Sequence, residues 1–313
     1  MISMRYHIIS LAAAFLALAL GIVLGATKIN SPLLAGLQGD TTTLSQQRDT
    51  LQAANVRLSA SVESAEKMAE SIGDVAVRGI FRPGPTVVLI TTADANSADR
   101  DAVLALLSKA SATVASQIQL TTDFTDPSRS QELRTVLTAN IPAGQTLPEV
   151  DDTGTLAGAL LSLLVVADQS GSSKATADEA TKAFTALTTG GFIRLSGPVA
   201  AGRLVIVLTG GAITGGSEGD RAATIAALAA QLKLSASGVV LAGRQGSETV
   251  NTGPVGVIRG DTADSAAVTT VDDLDLASGR LATVLGLAEQ DGGGVGRYGV
   301  AGSAEAWVPT LRT

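Results

Sequence analysis

The chain lacks cysteine and has one histidine, His7, among its 313 residues. The absence of cysteine excludes disulfides, thiolate metal sites and cysteine nucleophiles. His7 precedes a long apolar segment, so a Ser-His-Asp triad cannot form in the rest of the chain. A formal net charge of −7 argues against nucleic acid or anionic lipid as a main partner. With 45% hydrophobic and 16% charged residues, the chain is predicted to bury one large core or two smaller ones.

The apolar segment, residues 8–26, reads IISLAAAFLALALGIVLGA and carries no charge. As a helix it would extend about 28 Å, close to the ~30 Å hydrocarbon core of a bilayer. A retained single-pass anchor and a cleaved signal peptide are both open, because Arg5 precedes the run and small residues end it. The length of the run favours the anchor. We expect residues 1–27 to be a cytoplasmic tip and an anchor in the cytoplasmic membrane, with the N-terminus inside and the rest of the chain in the cell envelope.

Residues 28–73 show a heptad repeat, and we predict that they form a helical stalk. The d positions that carry leucine are Leu37, Leu44, Leu51 and Leu58. The a positions assigned to the same interface are Leu34, Arg48, Asn55 and Val62. A polar Asn at an a position fixes the register at a cost in stability, so Asn55 indicates a parallel dimer. Three arrangements stay open: a homodimer, a coiled coil with another protein, and a single amphipathic helix that lies on its own globular domain.

Residues 74–313 are predicted to form an α/β domain. Three continuous apolar runs are typical of strands buried on both faces: PTVVLITT (85–92), RLVIVLT (203–209) and GVVLAG (238–243). Helical stretches separate these runs, which implies a mostly parallel sheet with helices on both faces, of Rossmann-like or flavodoxin-like type. An alternative interpretation divides this domain into two related halves that meet near residues 190–203.

Other elements of this domain are assigned from local patterns. A helix is expected from residue 97 to about residue 115. The apolar stretch 156–168 is expected to be a buried helix, because it is too short to cross a membrane. Short strands are expected in GPVGVIRG (253–260) and AAVTTV (266–271), and a closing helix at 276–290.

Three motif matches lack the context that their chemistry needs. Ser217 in GGSEG (215–219) fits G-x-S-x-G, but it lacks a sharp strand-to-helix turn and a usable histidine, so helix capping is expected. GVGRYG (294–299) fits G-x-G-x-x-G, but no helix follows to face a pyrophosphate, so a glycine-rich loop or edge strand is expected. The loop at 209–220 is either an anion cradle before a helix or a long connection.

Acidic residues cluster at three places, and their oxygen atoms would suit a hard cation. The clusters are Asp94 with Asp99 and Asp101, Asp151 with Asp152, and Asp272 with Asp273 and Asp275. None has the spacing of a calcium-binding loop, and solvated helix starts explain them. We therefore expect no catalytic residue, no metal site and no cofactor, and predict that the chain is not an enzyme.

Five stretches spread over the chain carry a family resemblance: residues 1–26, LRTVLTANIPAGQTL (133–147), VVLAGR (239–244), TTVDDLDLASGRLATVLGL (269–287) and GGGVGRYG (292–299). Together they resemble the actinobacterial MctB copper transporter family, and within it the corynebacterial SteB branch. The MctB resemblance implies copper transport or export, or an envelope channel. The SteB resemblance implies daughter-cell separation, in which the protein and a SteA-like membrane partner stimulate a peptidoglycan hydrolase.

The residue types present favour one of these two implied functions over the other. Copper(I) prefers thiolate or thioether ligands and copper(II) favours imidazole, yet the chain offers only Met1, Met4, Met68 and His7. A barrel pore needs alternating strands and aromatic girdles, and aromatic residues are only 3% of the chain. We therefore predict a membrane-anchored scaffold or regulator that acts through its coiled coil in cell separation, with copper transport as the alternative.

Overall fold

The computed structural model describes residues 4–81, 83–168 and 171–310, and for residues 26–38 it describes the backbone alone. The chain divides into two compact units, Met1–Ser64 and Ala65–Thr313. One helix, α1 (Met4–Ala76), runs through the first unit and into the second. Its stretch Met4–Gly25 has a mean hydropathy of 2.6 and is long and apolar enough to cross a membrane. The predicted apolar helix is therefore present.

A seven-stranded sheet lies at the centre of the second unit. The strand order is β3-β2-β1-β4-β5-β6-β7, with β3 antiparallel to β2 and every other neighbouring pair parallel. The strands are β1 (Thr86–Thr91), β2 (Thr113–Leu120), β3 (Ile193–Leu195), β4 (Leu204–Leu208), β5 (Gly238–Ala242), β6 (Thr269–Val271) and β7 (Arg297–Tyr298). The order 3-2-1-4-5-6 is that of Rossmann-like folds, whereas flavodoxin-like folds have 2-1-3-4-5. The predicted α/β class is confirmed in its Rossmann-like form.

Helices cover both faces of this sheet. One face packs against α3 (Ser130–Ala139), α4 (Thr153–Val165), α5 (Ala177–Thr189), α6 (Glu218–Lys233) and α7 (Pro254–Gly260). The other face packs against α2 (Ser97–Lys109) and α9 (Ala277–Asp291). The short α8 (Thr262–Ser265) leads into β6, and 3₁₀ turns at Thr122–Phe124 and Pro127–Arg129 precede α3.

The two faces form two separate cores because successive strand residues point to opposite sides. In β1, Val88 and Ile90 join the core under α4 and α6, whereas Val87 and Leu89 join the core under α2 and α9. All four side chains are at most 1% exposed. This double burial explains why the strands read as unbroken apolar runs.

Two glycines bring α4 and α6 unusually close. A Cβ at Gly154 would overlap the backbone carbonyl of Thr224, and a Cβ at Gly158 would lie 2.8 Å from the carbonyl oxygen of Leu228. Almost every residue of α4 is buried. The predicted buried helix is therefore confirmed, and its glycines serve helix packing within the domain.

Two local predictions are wrong. The helix expected to reach about residue 115 ends at Lys109, because Ser111 adopts a left-handed conformation (φ 70°) and β2 begins at Thr113. The stretch 253–260 is helix α7 and not a strand, since Pro254 occupies the first helical turn, where its fixed φ suits a helix start. The strand expected in 266–271 is present as β6, and the closing helix is α9. One sheet runs through the domain, and its division into two related halves stays a prediction.

Candidate functional site

The described part of the heptad seam is exposed along α1. Leu44, Leu51 and Leu58 are 64%, 70% and 66% exposed, and Val62 is 51% exposed. The side chains of Leu34 and Leu37 lie outside the described residues. Large apolar side chains repeated every seven residues leave a continuous strip on which a second helix can pack. The strip from Leu44 to Val62, which we call the leucine stripe, is the first candidate site, and the coiled coil itself stays a prediction.

The polar members of the seam make weak local contacts. Arg48 Nη2 lies 2.7 Å from Asp49 Oδ1, and both side chains are largely exposed. The Oδ1 atom of Asn55 accepts a long 3.4 Å hydrogen bond from Ser59 Oγ. Such exposed ion pairs contribute little to stability. The side chains of Arg48 and Asn55 are therefore accessible to a partner helix.

Within the second unit, the last turns of α1 pack with a different face. Glu66 Oε2 accepts a 2.6 Å hydrogen bond from the backbone N–H of Ala277, at the start of α9. Asp74 forms an ion pair with Lys109 of α2. Ile72, a d position of the same heptad count, stays 47% exposed. Packing of these turns on their own domain therefore leaves the d position Ile72 exposed.

The second candidate site is the crevice at the carboxyl ends of β1 and β4, where the strand order reverses and ligands bind in this class of fold. Asp94 lies across this crevice, so close to Gly210 that a Cβ there would overlap its carboxylate. Thr92 Oγ1 donates a 2.5 Å hydrogen bond to Asp94 Oδ1. A Cβ at Gly211 would lie 2.8 Å from the carbonyl oxygen of Gln245. The loops of the chain therefore close the crevice.

A cavity of about 120 Å³ remains beside the crevice, lined in part by Asp94 and Arg221. Arg221 donates a 3.0 Å hydrogen bond to the carbonyl oxygen of Thr214. This volume lies below the ~300 Å³ at which small-molecule sites begin, so a nucleotide does not fit. The sheet is Rossmann-like, but the cavity at its strand-order reversal has no room for a dinucleotide.

The glycine-rich loop 209–220 leads into helix α6. Ser217 is the N-cap residue in a left-handed conformation (φ 51°), but its hydroxyl makes no capping hydrogen bond. The Glu218 side chain accepts a 2.8 Å hydrogen bond from Gly216 N, and such backbone bonds lower the pKa of this carboxyl. An anion would meet Glu218 and Asp220 in the first helical turn. The arrangement favours the connecting role over the anion cradle, and the helix cap expected of Ser217 is not made by its hydroxyl.

The structure separates the acidic clusters among different partners. Five carboxylates pair with arginine or cap backbone amides: Asp99 with Arg244, Asp101 with Arg100, Asp151 with Arg134, Asp272 with Arg259, and Asp152 with Thr155 N. Among the described residues, no group of three or more His, Cys, Asp or Glu side chains could hold a metal ion. The carboxylates thus serve the fold.

Sequence reasoning missed a buried ion pair that holds the C-terminal segment. Arg259 and Asp272 are 4% and 1% exposed, and Arg259 Nη1 lies 2.5 Å from Asp272 Oδ2. Asp272 Oδ1 accepts hydrogen bonds from Val300 N (2.8 Å) and Ala301 N (3.1 Å). Gly299 (φ 128°) leaves no room for a Cβ beside this carboxylate. GVGRYG therefore forms the edge strand β7 and a loop, as predicted, and Gly299 lets that loop lie against Asp272.

Asp273 is the one buried carboxyl here with a large pKa shift. Burial raises its pKa from 3.8 to about 6, partly offset by a hydrogen bond from Ser278. Ser278 Oγ donates to Asp273 Oδ2 at 3.1 Å, while Asp273 Oδ1 is buried without a hydrogen-bond partner. Perturbed carboxyls can mark functional sites, but Asp273 lines neither the cavity beside the crevice nor the one between α1, α2 and α9.

Comparison with known proteins covers nearly the whole chain. Residues 1–309 match the family described as "Copper transport outer membrane protein, MctB". The chain is 34% identical over 306 residues to the copper transporter MctB of Mycobacterium tuberculosis, which covers 96% of each chain. It is also 34% identical over 320 residues to the copper transporter MctB of Mycobacterium leprae, which covers 99% of this chain and all of the relative. The chain belongs to the MctB family.

Proposed function

We propose that this protein is a membrane-anchored, non-enzymatic component of copper transport that works through helix contacts made by α1. Nearly full-length similarity to proteins named copper transporters carries the proposal. The apolar helix Met4–Gly25 supplies the anchor, and the leucine stripe supplies a contact surface.

The donor set argues that the α/β domain does not itself hold copper tightly. Copper needs thioether, thiolate or imidazole donors for a strong site, and beyond residue 64 the sequence offers only Met68. Met68 is 62% exposed on α1. We therefore assign copper as cargo handled together with a partner that α1 contacts, and no copper site to the α/β domain.

The first experiment asks whether the leucine stripe meets another helix. The chain has no native cysteine, so Leu51→Cys introduces the only thiol. In membranes, oxidation of this variant is expected to give a homodimer or a complex with a larger partner, and the product mass distinguishes them. Ala53→Cys is the matched control, because residue 53 lies on the far side of the heptad (position f) and should crosslink poorly. Equal yields from both positions would reject a helix seam here.

The second experiment asks what the contact is for. We expect deletion of the gene to raise cellular copper, and Leu44→Asp with Leu51→Asp to fail in restoring the normal level. Ala53→Asp with Ala60→Asp adds the same charge to the same helix on its outer face and should restore it. Normal copper levels in the deletion strain would refute the copper proposal.

A second candidate function is daughter-cell separation, as the resemblance to the SteB branch implies. The exposed leucine stripe favours it, since capture of a partner helix such as a SteA-like protein would need such a surface and no copper donors. This candidate predicts that the Leu44→Asp and Leu51→Asp pair leaves cells unseparated at normal copper levels. Normal separation in that strain would reject it.

The membrane topology is part of the same proposal. We propose that the N-terminus lies on the cytoplasmic side of the cytoplasmic membrane and that residues from 28 onward lie on the opposite side, in the cell envelope. A cysteine placed at Ser45 should then react with a membrane-impermeant maleimide in intact cells, whereas one placed at Ser3 should react only after lysis. The reverse labelling pattern would invert the orientation.

A further inference from the structure

We propose that Arg280 couples the last turns of α1 to the loops at the carboxyl edge of the sheet. Contact made by α1 would then change the state of those loops. The proposal rests on the proposed function only in taking α1 as the contact site. The residues that carry it all lie in the unit Ala65–Thr313.

Arg280 is shared among three carboxylates at similar distances. Its Nη2 atom lies 3.9 Å from Glu66 Oε2 and 3.8 Å from Glu70 Oε1, both on α1, and its Nη1 atom lies 3.5 Å from Asp99 Oδ1 on α2. Its shortest bond, 3.1 Å, goes to the carbonyl oxygen of Asp275. A guanidinium pairs best at 2.7–2.9 Å in a bidentate fork. Arg280 therefore closes on none of the three carboxylates in this structure, and the proposal takes closure on α1 and closure on Asp99 as its two alternatives.

The seat of α1 allows the movement that such a switch needs. A cavity of about 300 Å³ lies between the end of α1 and helices α2 and α9, lined in part by Ala69, Gly73 and Ala105. A Cβ at Gly73 would come no closer than 3.9 Å to Leu281. The turns before Gly73 are held by the polar contact of Glu66, whereas Val77, just past the end of the helix, is buried in the core under α2 and α9. The proposed movement is therefore confined to the turns that carry Glu66 and Glu70.

Asp99 links Arg280 to Arg244, in the loop at the carboxyl end of β5. Its Oδ2 atom accepts a 2.6 Å hydrogen bond from Arg244 Nε, and the Asp99 side chain is only 3% exposed. The backbone N–H of Arg244 donates to the carbonyl oxygen of Gly210, and Gln245 N donates to Asp275 Oδ1 at 3.1 Å. Arg280 therefore touches both carboxylate residues that hold the loop after β5. Two discrete arrangements biased from both ends are the physical requirement for coupling.

The test measures amide hydrogen exchange of residues 243–249 in the full chain held in lipid nanodiscs. Glu66→Gln with Glu70→Gln removes the pull of α1, so Arg280 should close on Asp99 and slow this exchange by about threefold. Arg280→Gln should accelerate it by about threefold or more. In the combined variant the glutamate changes should add nothing. Asp49→Asn is the control, because it removes a charge from α1 at an ion pair distant in sequence from Glu66.

Two results would overturn the coupling: unchanged exchange at 243–249 in Glu66→Gln with Glu70→Gln, or a change that persists in the combined variant. Glu66 and Glu70 are 23% and 63% exposed, and glutamine retains an oxygen acceptor for the backbone N–H of Ala277, so folding should survive, and circular dichroism verifies it. Arg280→Lys retains the charge and should show an intermediate rate.

A crosslink at Leu51→Cys separates this inference from the proposed function. A crosslink that changes exchange at 243–249 only when Arg280 is present supports both. A crosslink without any change overturns the coupling and leaves the proposed function standing. If no crosslink forms, the proposed contact fails, and the glutamate variants alone decide the coupling.

Discussion

Replacing Arg259 with methionine should destabilise the α/β domain more than any single ion-pair change at its surface. The guanidinium is 4% exposed and binds four groups. It donates to Asp272 Oδ2 at 2.5 Å, Thr270 Oγ1 at 3.0 Å, Ser303 Oγ at 3.0 Å and the carbonyl oxygen of Tyr298 at 2.8 Å. Arg259 thus joins Asp272 and Thr270 to the C-terminal segment at Tyr298 and Ser303.

The expected loss is about 3–5 kcal/mol, because the methionine leaves the Asp272 carboxylate buried and without its counter-charge. For a domain of this size, about 1 kcal/mol corresponds to roughly 2–4 °C in Tm, so Tm should fall by about 6–20 °C. Arg259→Met combined with Asp272→Asn removes both charges and should cost clearly less than Arg259→Met alone.

Thermal and urea unfolding of the full chain in detergent, followed by circular dichroism, measures these losses. Arg100→Met is the surface control, because its pair with Asp101 is exposed and should be worth less than about 1 kcal/mol. A loss of under 1 kcal/mol for Arg259→Met would refute the reasoning, since it would mean that water reaches Asp272 in the folded protein. A double variant as unstable as the single would place the loss in side-chain packing.

Three further predictions follow from named contacts. The pKa of Asp273, about 6 when folded against 3.8, means that the folded state holds its proton more tightly; stability should therefore fall by up to about 3 kcal/mol as pH rises from about 4 to 6, and Asp273→Asn should flatten this slope in urea titrations at each pH. Gly154→Ala should cost about 1–3 kcal/mol in the same assay, while Gly260→Ala, which faces open space, should be nearly neutral. Arg48→Leu should raise the crosslinking yield of Leu51→Cys, because it removes a like-charge pair from a parallel seam; an unchanged yield would remove Arg48 from the interface.

The centre of the fold was predictable because its signals are local. Runs such as 203–209 are apolar at every position, which only a doubly covered strand explains, and they became β1, β4 and β5. The predictions failed where one residue changes the backbone. Ser111 turns the chain with a positive φ that serine rarely adopts, and Pro254 starts a helix inside a stretch of strand-like composition.

The candidate sites were less predictable because their contacts join residues far apart in sequence. Asp94 and Gly210 close the crevice across 116 positions, and nothing near either residue marks the other. Glu66 and Ala277 lie 211 positions apart. The acidic clusters show the same limit, since neighbours such as Asp272 and Asp273 point to opposite sides of the chain and acquire different partners.

The closed crevice and the missing copper donors lead to the same conclusion about where this protein acts. A Rossmann-like sheet normally offers its ligand site at the strand-order reversal, and here Asp94 and the loop after β5 fill that position. The crevice at the strand-order reversal is closed, and residues 74–313 contain no cysteine, histidine or methionine, so we place the function on the surface of the protein. On that surface, helix α1 carries a row of exposed leucines, and an exposed apolar strip of this kind marks a site of interaction with another protein. The copper handling that we propose should therefore depend on a protein contact at α1, and a variant that blocks the leucine stripe yet transports copper normally would contradict it.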